Sequence, residues 1–211
     1  MAKNYQGVNG NWSGKVGNNV GAVSNGRTVI RIYQPIVANP QTAAQMLQRS
    51  RLSITSSFLR SLAGVIKLGW KAISKYGTAW ADCIKQNMEE AVSLVGGVYT
   101  LDQSKIVMSR GGVDLPYNLT ASNDANDLTF SWTDNSGVGT ALATDEFVYL
   151  IKNKAKNQWV AAKSAAVRST RTFTFACPSA WTGDDIYVYG FFVRADESDA
   201  SVTQYLGQIT L

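Results

Sequence analysis

Leu128-Thr-Phe-Ser-Trp-Thr133 and Ile186-Tyr-Val-Tyr-Gly-Phe-Phe-Val193 decide how the second half of this chain folds. In the first run Leu128, Phe130 and Trp132 alternate with Thr129 and Ser131, the period of a strand with one buried face. In the second, Tyr187, Tyr189, Phe191 and Val193 alternate with Val188, Gly190 and Phe192, so both faces are apolar, as in a central strand. Further β-prone runs flank them: Asn118–Ser122, Phe147–Lys152, Gln158–Ala162, Thr170–Ala176 and Val202–Leu211. Most are bounded by Asn, Asp, Gly, Ser or Pro. Seven short strands at this spacing predict an antiparallel β-sandwich over residues 98–211. Lys105–Ser109 reads as one more short strand before Gly111-Gly112.

Upstream the period changes to that of a helix. Leu47, Ile54, Phe58, Leu62 and Val65 recur at three, four or seven residues. Asn39 is the expected cap and Pro40 the first helical residue. Gly64 or Gly69 is the expected break, and Tyr76-Gly77 the expected stop. Thr78 is placed to cap a second helix running to about Val95, with Trp80, Ile84, Met88 and Ala91 on its apolar face and Gly96-Gly97 ending it. Residues 39–97 therefore predict a helical hairpin or small bundle.

Residues 1–38 are polar, with Gly7, Gly10, Gly14, Gly17 and Gly21 three or four apart. Five glycines on one face disfavour a helix, so the segment reads as extended or turning. Asn25-Gly26 between Val20–Ser24 and Arg27–Tyr33 is a strong hairpin signal. Thr28, Ile30 and Ile32 point one way; Arg27, Val29, Arg31 and Tyr33 point the other. The arm is poor in core-forming side chains and needs a surface to pack on, its own chain's or a neighbour's. Trp12 stands in it without a local core, which makes it the candidate inter-subunit anchor. Lys15, Val16, Val20, Arg27, Val29, Arg31 and Tyr33 complete the candidate subunit interface. The expected fold class is thus α+β: arm and hairpin (1–38), helices (39–97) and sandwich (98–211).

Composition mainly excludes. The 211 residues hold no His and 2 Cys, Cys83 and Cys177, with charged residues at 17% against about 25% in a typical domain. Triads with a His base and His-ligated zinc are ruled out, and two thiols cannot form a disulfide framework. The thiols read as buried and free. Gly10-Asn-Trp-Ser-Gly14-Lys15-Val16 imitates a phosphate loop but is one residue short, and Val16 replaces the hydroxyl that holds magnesium. Asp184, Asp185, Asp196, Glu197 and Asp199, with Asp124, Asp127, Asp134, Asp145 and Glu146, read as solvated sandwich loops rather than a calcium or glycosidase site. No cofactor and no metal are expected, and no catalytic residue can be named. No apolar stretch is long enough for a signal peptide or a membrane span.

Charge is lopsided. Residues 1–110 carry 13 Lys or Arg against 4 Asp or Glu; residues 111–211 carry 7 against 11. A basic half and an acidic half favour head-to-tail contacts between copies. The basic helices also offer an alternative, nucleic-acid contacts through Arg49, Arg60, Lys67 and Lys71.

Two resemblances add to this. The Leu-Thr-Phe-Ser-Trp and Ile-Tyr-Val-Tyr-Gly-Phe-Phe-Val runs resemble the second and sixth strands of fibronectin type III domains, which implies an Ig-like sandwich. Gly10-Asn-Trp-Ser-Gly-Lys-Val-Gly17, Asn25-Gly-Arg27, Val37-Ala-Asn-Pro-Gln-Thr-Ala-Ala-Gln45, Gln48-Arg49, Ser109-Arg-Gly111, Trp132-Thr-Asp-Asn-Ser-Gly137, Trp181-Thr-Gly183 and Tyr205-Leu-Gly207 resemble an uncharacterised family of unknown function from Bacteroides-group bacteria and their phages. That family carries no established activity. The resemblance implies a phage context, and the expectation is a non-enzymatic virion structural protein (capsid, collar or tail), made in the host cytoplasm and assembling with copies of itself and other virion proteins. The alternatives are an adhesin-like module holding glycans or a host surface through its sandwich loops, and a nucleic-acid-associated protein.

Overall fold

The computed structural model describes residues 13–24, 27–36, 38–39, 41–74 and 78–211. Trp12, the Asn25-Gly26 turn, Pro40 and the Tyr76-Gly77 stop lie outside these residues. The architecture is mixed α+β, and the chain divides into two compact units, Met1–Thr42 and Ala43–Leu211.

In the larger unit the alternating runs form two antiparallel sheets. Strands β6 (Tyr117–Asp124), β7 (Asp127–Thr133) and β10 (Thr172–Ala176) make one sheet in the order β10-β7-β6. Strands β8 (Glu146–Asn153), β9 (Gln158–Val167), β11 (Asp185–Val193) and β12 (Gln204–Thr210) make the other in the order β12-β11-β8-β9. The inner faces bury Leu119, Leu128, Phe130 and Trp132 from the first sheet against Phe147, Ile151, Val188 and Phe192 from the second. Gly190 on β11 is there because a Cβ would come 2.8 Å from the Phe147 ring.

The opposite face of the four-stranded sheet is also covered, which explains why β8 from Phe147 to Ile151 and β11 from Ile186 to Val193 are apolar on both faces. Val148, Leu150, Tyr189 and Phe191 share a second core with Phe58, Leu62, Ile66 and Trp70 of the helical segment and Ile84 beyond it. That segment is α1 (Ala43–Leu59), one 3-10 turn (Arg60–Leu62) and α2 (Ala63–Gly69). The break falls at the 3-10 turn, not at a glycine. Gly69 closes α2 where a Cβ would lie 2.5 Å from Ser109 Cβ, and its carbonyl accepts from Arg110 N at 2.9 Å. Helix α1 starts at Ala43, so Asn39 is not its cap. The cap expected at Thr78 is present: its hydroxyl accepts from Ala81 N at 3.2 Å and opens α3 (Ala79–Glu90).

Two expectations are corrected. Helix α3 stops at Glu90 and does not reach Val95. Residues Val92–Val95 and Val98–Leu101 form a hairpin, β4–β5, around Gly96 (φ 59°) and Gly97 (φ 82°). Two consecutive left-handed residues make the turn whose twist suits a two-residue hairpin, and only Gly adopts it freely. Lys105–Ser109 is not a strand. Its backbone is satisfied by side chains instead: Asn87 accepts from Val107 N (2.9 Å) and donates to Val107 O (2.7 Å), while Thr203 Oγ1 accepts from Ser109 N (2.7 Å).

In the smaller unit, β1 (Gly14–Val16), β2 (Asn19–Ser24) and β3 (Arg27–Ile32) form a three-stranded antiparallel ribbon. The expected β2–β3 hairpin gains a third strand, turned at Gly17 (φ 56°). The registers run Lys15–Val20–Arg31, Gly14–Gly21–Ile30 and Val16–Asn19–Ile32.

Candidate subunit interface

Register sorts the ribbon side chains onto two faces. Lys15, Val20, Val29, Arg31 and Tyr33 share one face, and Val16 falls on the other. On the first face the Lys15 ammonium sits 3.6 Å from the centroid of the Tyr33 ring, a cation–π contact. Arg31 and Val29 are exposed. Arg27 is the first residue of β3. Trp12, the proposed anchor, lies outside the described residues.

The second face holds Val16, Val23, Ile30 and Ile32, which are 64%, 49%, 48% and 74% exposed. The strands alternate strictly, so these four aliphatics line up on one side, with Gly14 and Gly21 paired between them. Among the described residues β1 and β3 each pair on one side only, which leaves the outer edge of both strands open. Ile30 and Ile32 were legible as a face in the alternation of β3. What the pattern could not give was their exposure.

The basic residues named from the sequence fall in different elements: Arg49 in α1, Arg60 in the 3-10 turn, Lys67 in α2 and Lys71 in the turn that follows it. Arg60, Lys67 and Lys71 are exposed, and none of the ion pairs among the described residues involves them.

The acidic loop residues are taken up locally. Asp184 accepts from Asn153 Nδ2 at 2.8 Å and pairs with Lys156; these two bonds hold its carboxyl below the usual range, the lysine contributing most. Asp185 pairs with Lys154 at 3.7 Å and Glu197 with Lys163 at 3.0 Å. Asp196 accepts from Ser198 Oγ (2.6 Å) and N (2.9 Å), which lowers its pKa, and Asp199 accepts from Gly112 N at 3.1 Å. Among the described residues no group of three or more His, Cys, Asp or Glu is placed to hold a metal ion.

One acidic residue is not solvated, contrary to the sequence reading. Asp145 is fully buried and bonds Arg168 Nη2 (3.0 Å), Arg194 Nη1 (3.0 Å) and Leu142 N (2.9 Å). Arg168, also fully buried, donates to Asn135 Oδ1 and Asp114 O, both at 2.7 Å, and stacks 4.6 Å from the Phe192 ring. Each of the three Arg168 guanidinium nitrogens has an acceptor, so this cluster locks loops together. Cys83 and Cys177 are buried free thiols, pushed up by burial to about 12 and about 11. Neither carries the lowered pKa of a reactive cysteine.

The sequence model of a family of unknown function, DUF6266, matches residues 10–207, nearly the whole chain. No curated protein matches it.

Proposed function

We propose that this chain, which belongs to the family of unknown function DUF6266, is a non-enzymatic structural protein of a phage particle that assembles in several copies through its N-terminal ribbon. The observation that carries the assembly reading is the aliphatic face of Val16, Val23, Ile30 and Ile32 on a sheet whose two edges are unpaired among the described residues. Strands of three, six and six residues make a small sheet whose aliphatic face is left exposed to water. A second copy supplies both things it lacks, apolar cover and a strand to extend an edge. The lopsided charge supports a head-to-tail arrangement, basic residues 1–110 meeting acidic residues 111–211 of the next copy. The particle context, with assembly in the host cytoplasm and other virion proteins as partners, rests on the resemblance of the sequence to an uncharacterised family from Bacteroides-group bacteria and their phages. We read the sandwich as fibronectin type III-like, supported by its three strands facing four in the order β10-β7-β6 and β12-β11-β8-β9.

The test is the mass of the full chain in solution beside the variants Ile32→Asp and Val16→Asp. Fully burying a Val or Ile side chain stabilises by about 1.5–3 kcal/mol. Each substitution also places a carboxylate in the contact. The expected result is a multimer for the natural chain and dissociation to monomer for the variants, with unchanged circular dichroism. A natural chain that stays monomeric at high concentration, or variants of unchanged mass, would refute the reading.

A second reading has its own observation: Arg60, Lys67 and Lys71 are exposed, and none of the ion pairs among the described residues involves them. It predicts DNA retention that falls steeply with salt and loses slope when these three are neutralised. Asp184, Asp185, Asp196, Glu197 and Asp199 are engaged by partners within the chain, and no observation supports an adhesin-like role.

A further inference from the structure

We infer that the groove between α1 and α3 is a binding site for a small apolar carboxylate. The groove has a volume of about 500 Å³, within the range usual for small-molecule sites. Helix α1 contributes Arg51 and Leu52, and α3 contributes Trp80, Ile84, Lys85 and Met88. Trp80, Ile84 and Met88 follow one another at four-residue spacing and so lie on one face of α3. Such a stripe ordinarily closes against its neighbour helix. Here Ile84 is buried, but Trp80 and Met88 are only half-buried and Leu52 is 48% exposed. An apolar wall is left open.

The polar end of the groove is cationic and fixed. Arg51 Nη2 donates to the Met88 carbonyl, one of the last carbonyls of α3. The guanidinium carbon lies 5.6 Å from the Tyr99 ring centroid. Arg51 Nε is buried and has no hydrogen-bond partner among the described residues, so these do not use all the donors this guanidinium offers. Among the described residues no ion pair involves Arg51 or Lys85. Glu89 also lines the groove and is the single carboxylate against two cations.

Charge and shape together select the occupant. A neutral apolar molecule would fill the wall and leave the excess positive charge unanswered. A hydrated inorganic anion would answer the charge and leave the wall bare. A carboxylate on an aliphatic or aryl body does both, its oxygens toward Arg51 and Lys85 and its body along Leu52, Trp80 and Met88. This site is separate from the ribbon, and either reading can stand without the other.

The experiment is calorimetric titration of the full chain with decanoate below its micelle concentration, and with decanol as the uncharged counterpart. The expected result is saturable binding of decanoate at one site per chain, with decanol at least about tenfold weaker. Lys85→Glu should weaken decanoate about tenfold, the effect of about 1.4 kcal/mol. Leu52→Asp should abolish binding. Both positions are exposed, and circular dichroism confirms that the variants fold. Ile32→Asp, on the ribbon, should bind like the natural chain. Absence of saturable binding, decanol as tight as decanoate, groove variants that bind unchanged, or loss of binding in Ile32→Asp would each overturn the inference.

Discussion

Replacing Arg168 by Met is the sharpest test of what holds the sandwich loops. Arg168 donates from Nε and Nη2 to Asp145 (3.2 and 3.0 Å), from Nη1 to Asn135 (2.7 Å) and from Nη2 to the Asp114 carbonyl (2.7 Å), with no exposed surface. Methionine matches the aliphatic stem and none of the donors. Asp145 keeps Arg194 and the Leu142 amide, so its charge is not wholly stranded. Asn135 Oδ1 and the Asp114 carbonyl each lose their Arg168 donor; for the buried Asn135 this costs about 1–3 kcal/mol. Breaking a buried pair from one side costs about 3–5 kcal/mol in general, and the count of lost bonds places Arg168→Met in that range. Arg194→Met is the internal control. Arg194 is partly exposed, and its loss leaves Asp145 bonded to Arg168, so it should cost about 1 kcal/mol. Urea unfolding followed by tryptophan fluorescence measures both. If Arg168→Met falls within 1 kcal/mol of the natural chain, or the two variants are equal, the cluster does not hold the loops as argued.

Two further outcomes follow from the core. Gly190→Ala should destabilise by about 1–3 kcal/mol, because Phe147 is fenced by Phe130, Trp132 and Phe192 at 5.1, 5.0 and 5.3 Å and cannot move aside. Gly64→Ala, facing open space on α2, should be neutral or stabilising by up to about 1 kcal/mol; thermal unfolding of the pair checks the contrast, which equal shifts would contradict. Lys152 is almost fully buried, its ammonium 3.9 Å from the Phe58 ring and 5.4 Å from the Trp159 ring, and burial lowers its pKa below the ordinary 10.5. Between its folded value and 10.5 the unfolded chain binds more protons, so Lys152 contributes stability that rises with pH through that window. The difference in urea midpoint between the natural chain and Lys152→Met should therefore change in the natural chain's favour as pH climbs toward 10.5; parallel curves would contradict the assignment.

Much of this fold was legible because strand period is a local property. Leu128-Thr-Phe-Ser-Trp and the run from Ile186 to Val193 announce one-faced and two-faced strands, and Thr78 announces its cap. Failures came where the deciding partner is remote. Residues 105–109 look like a strand, yet their amides are held by Asn87 and Thr203, and no local pattern shows a backbone satisfied by distant side chains. Gly96-Gly97 serves equally as a helix stop and as a hairpin turn, and the β-branched Val92, Val95 and Val98 around it were the missed signal. Asp145 lies in a loop by sequence and in the core by structure because Arg168 and Arg194 meet it there. Ribbon faces were readable from alternation, whereas their exposure depends on what covers them, which a one-chain sequence does not encode.

The measurement that bears most directly on the ribbon is amide hydrogen exchange of the full chain at high and low concentration. If a second copy keeps β1–β3 ordered, their amides are protected when concentrated and exchange many-fold faster on dilution, while β8 and β11 keep the same protection throughout. Ribbon amides equally protected at every concentration, in a chain whose mass is that of one copy, would contradict the account.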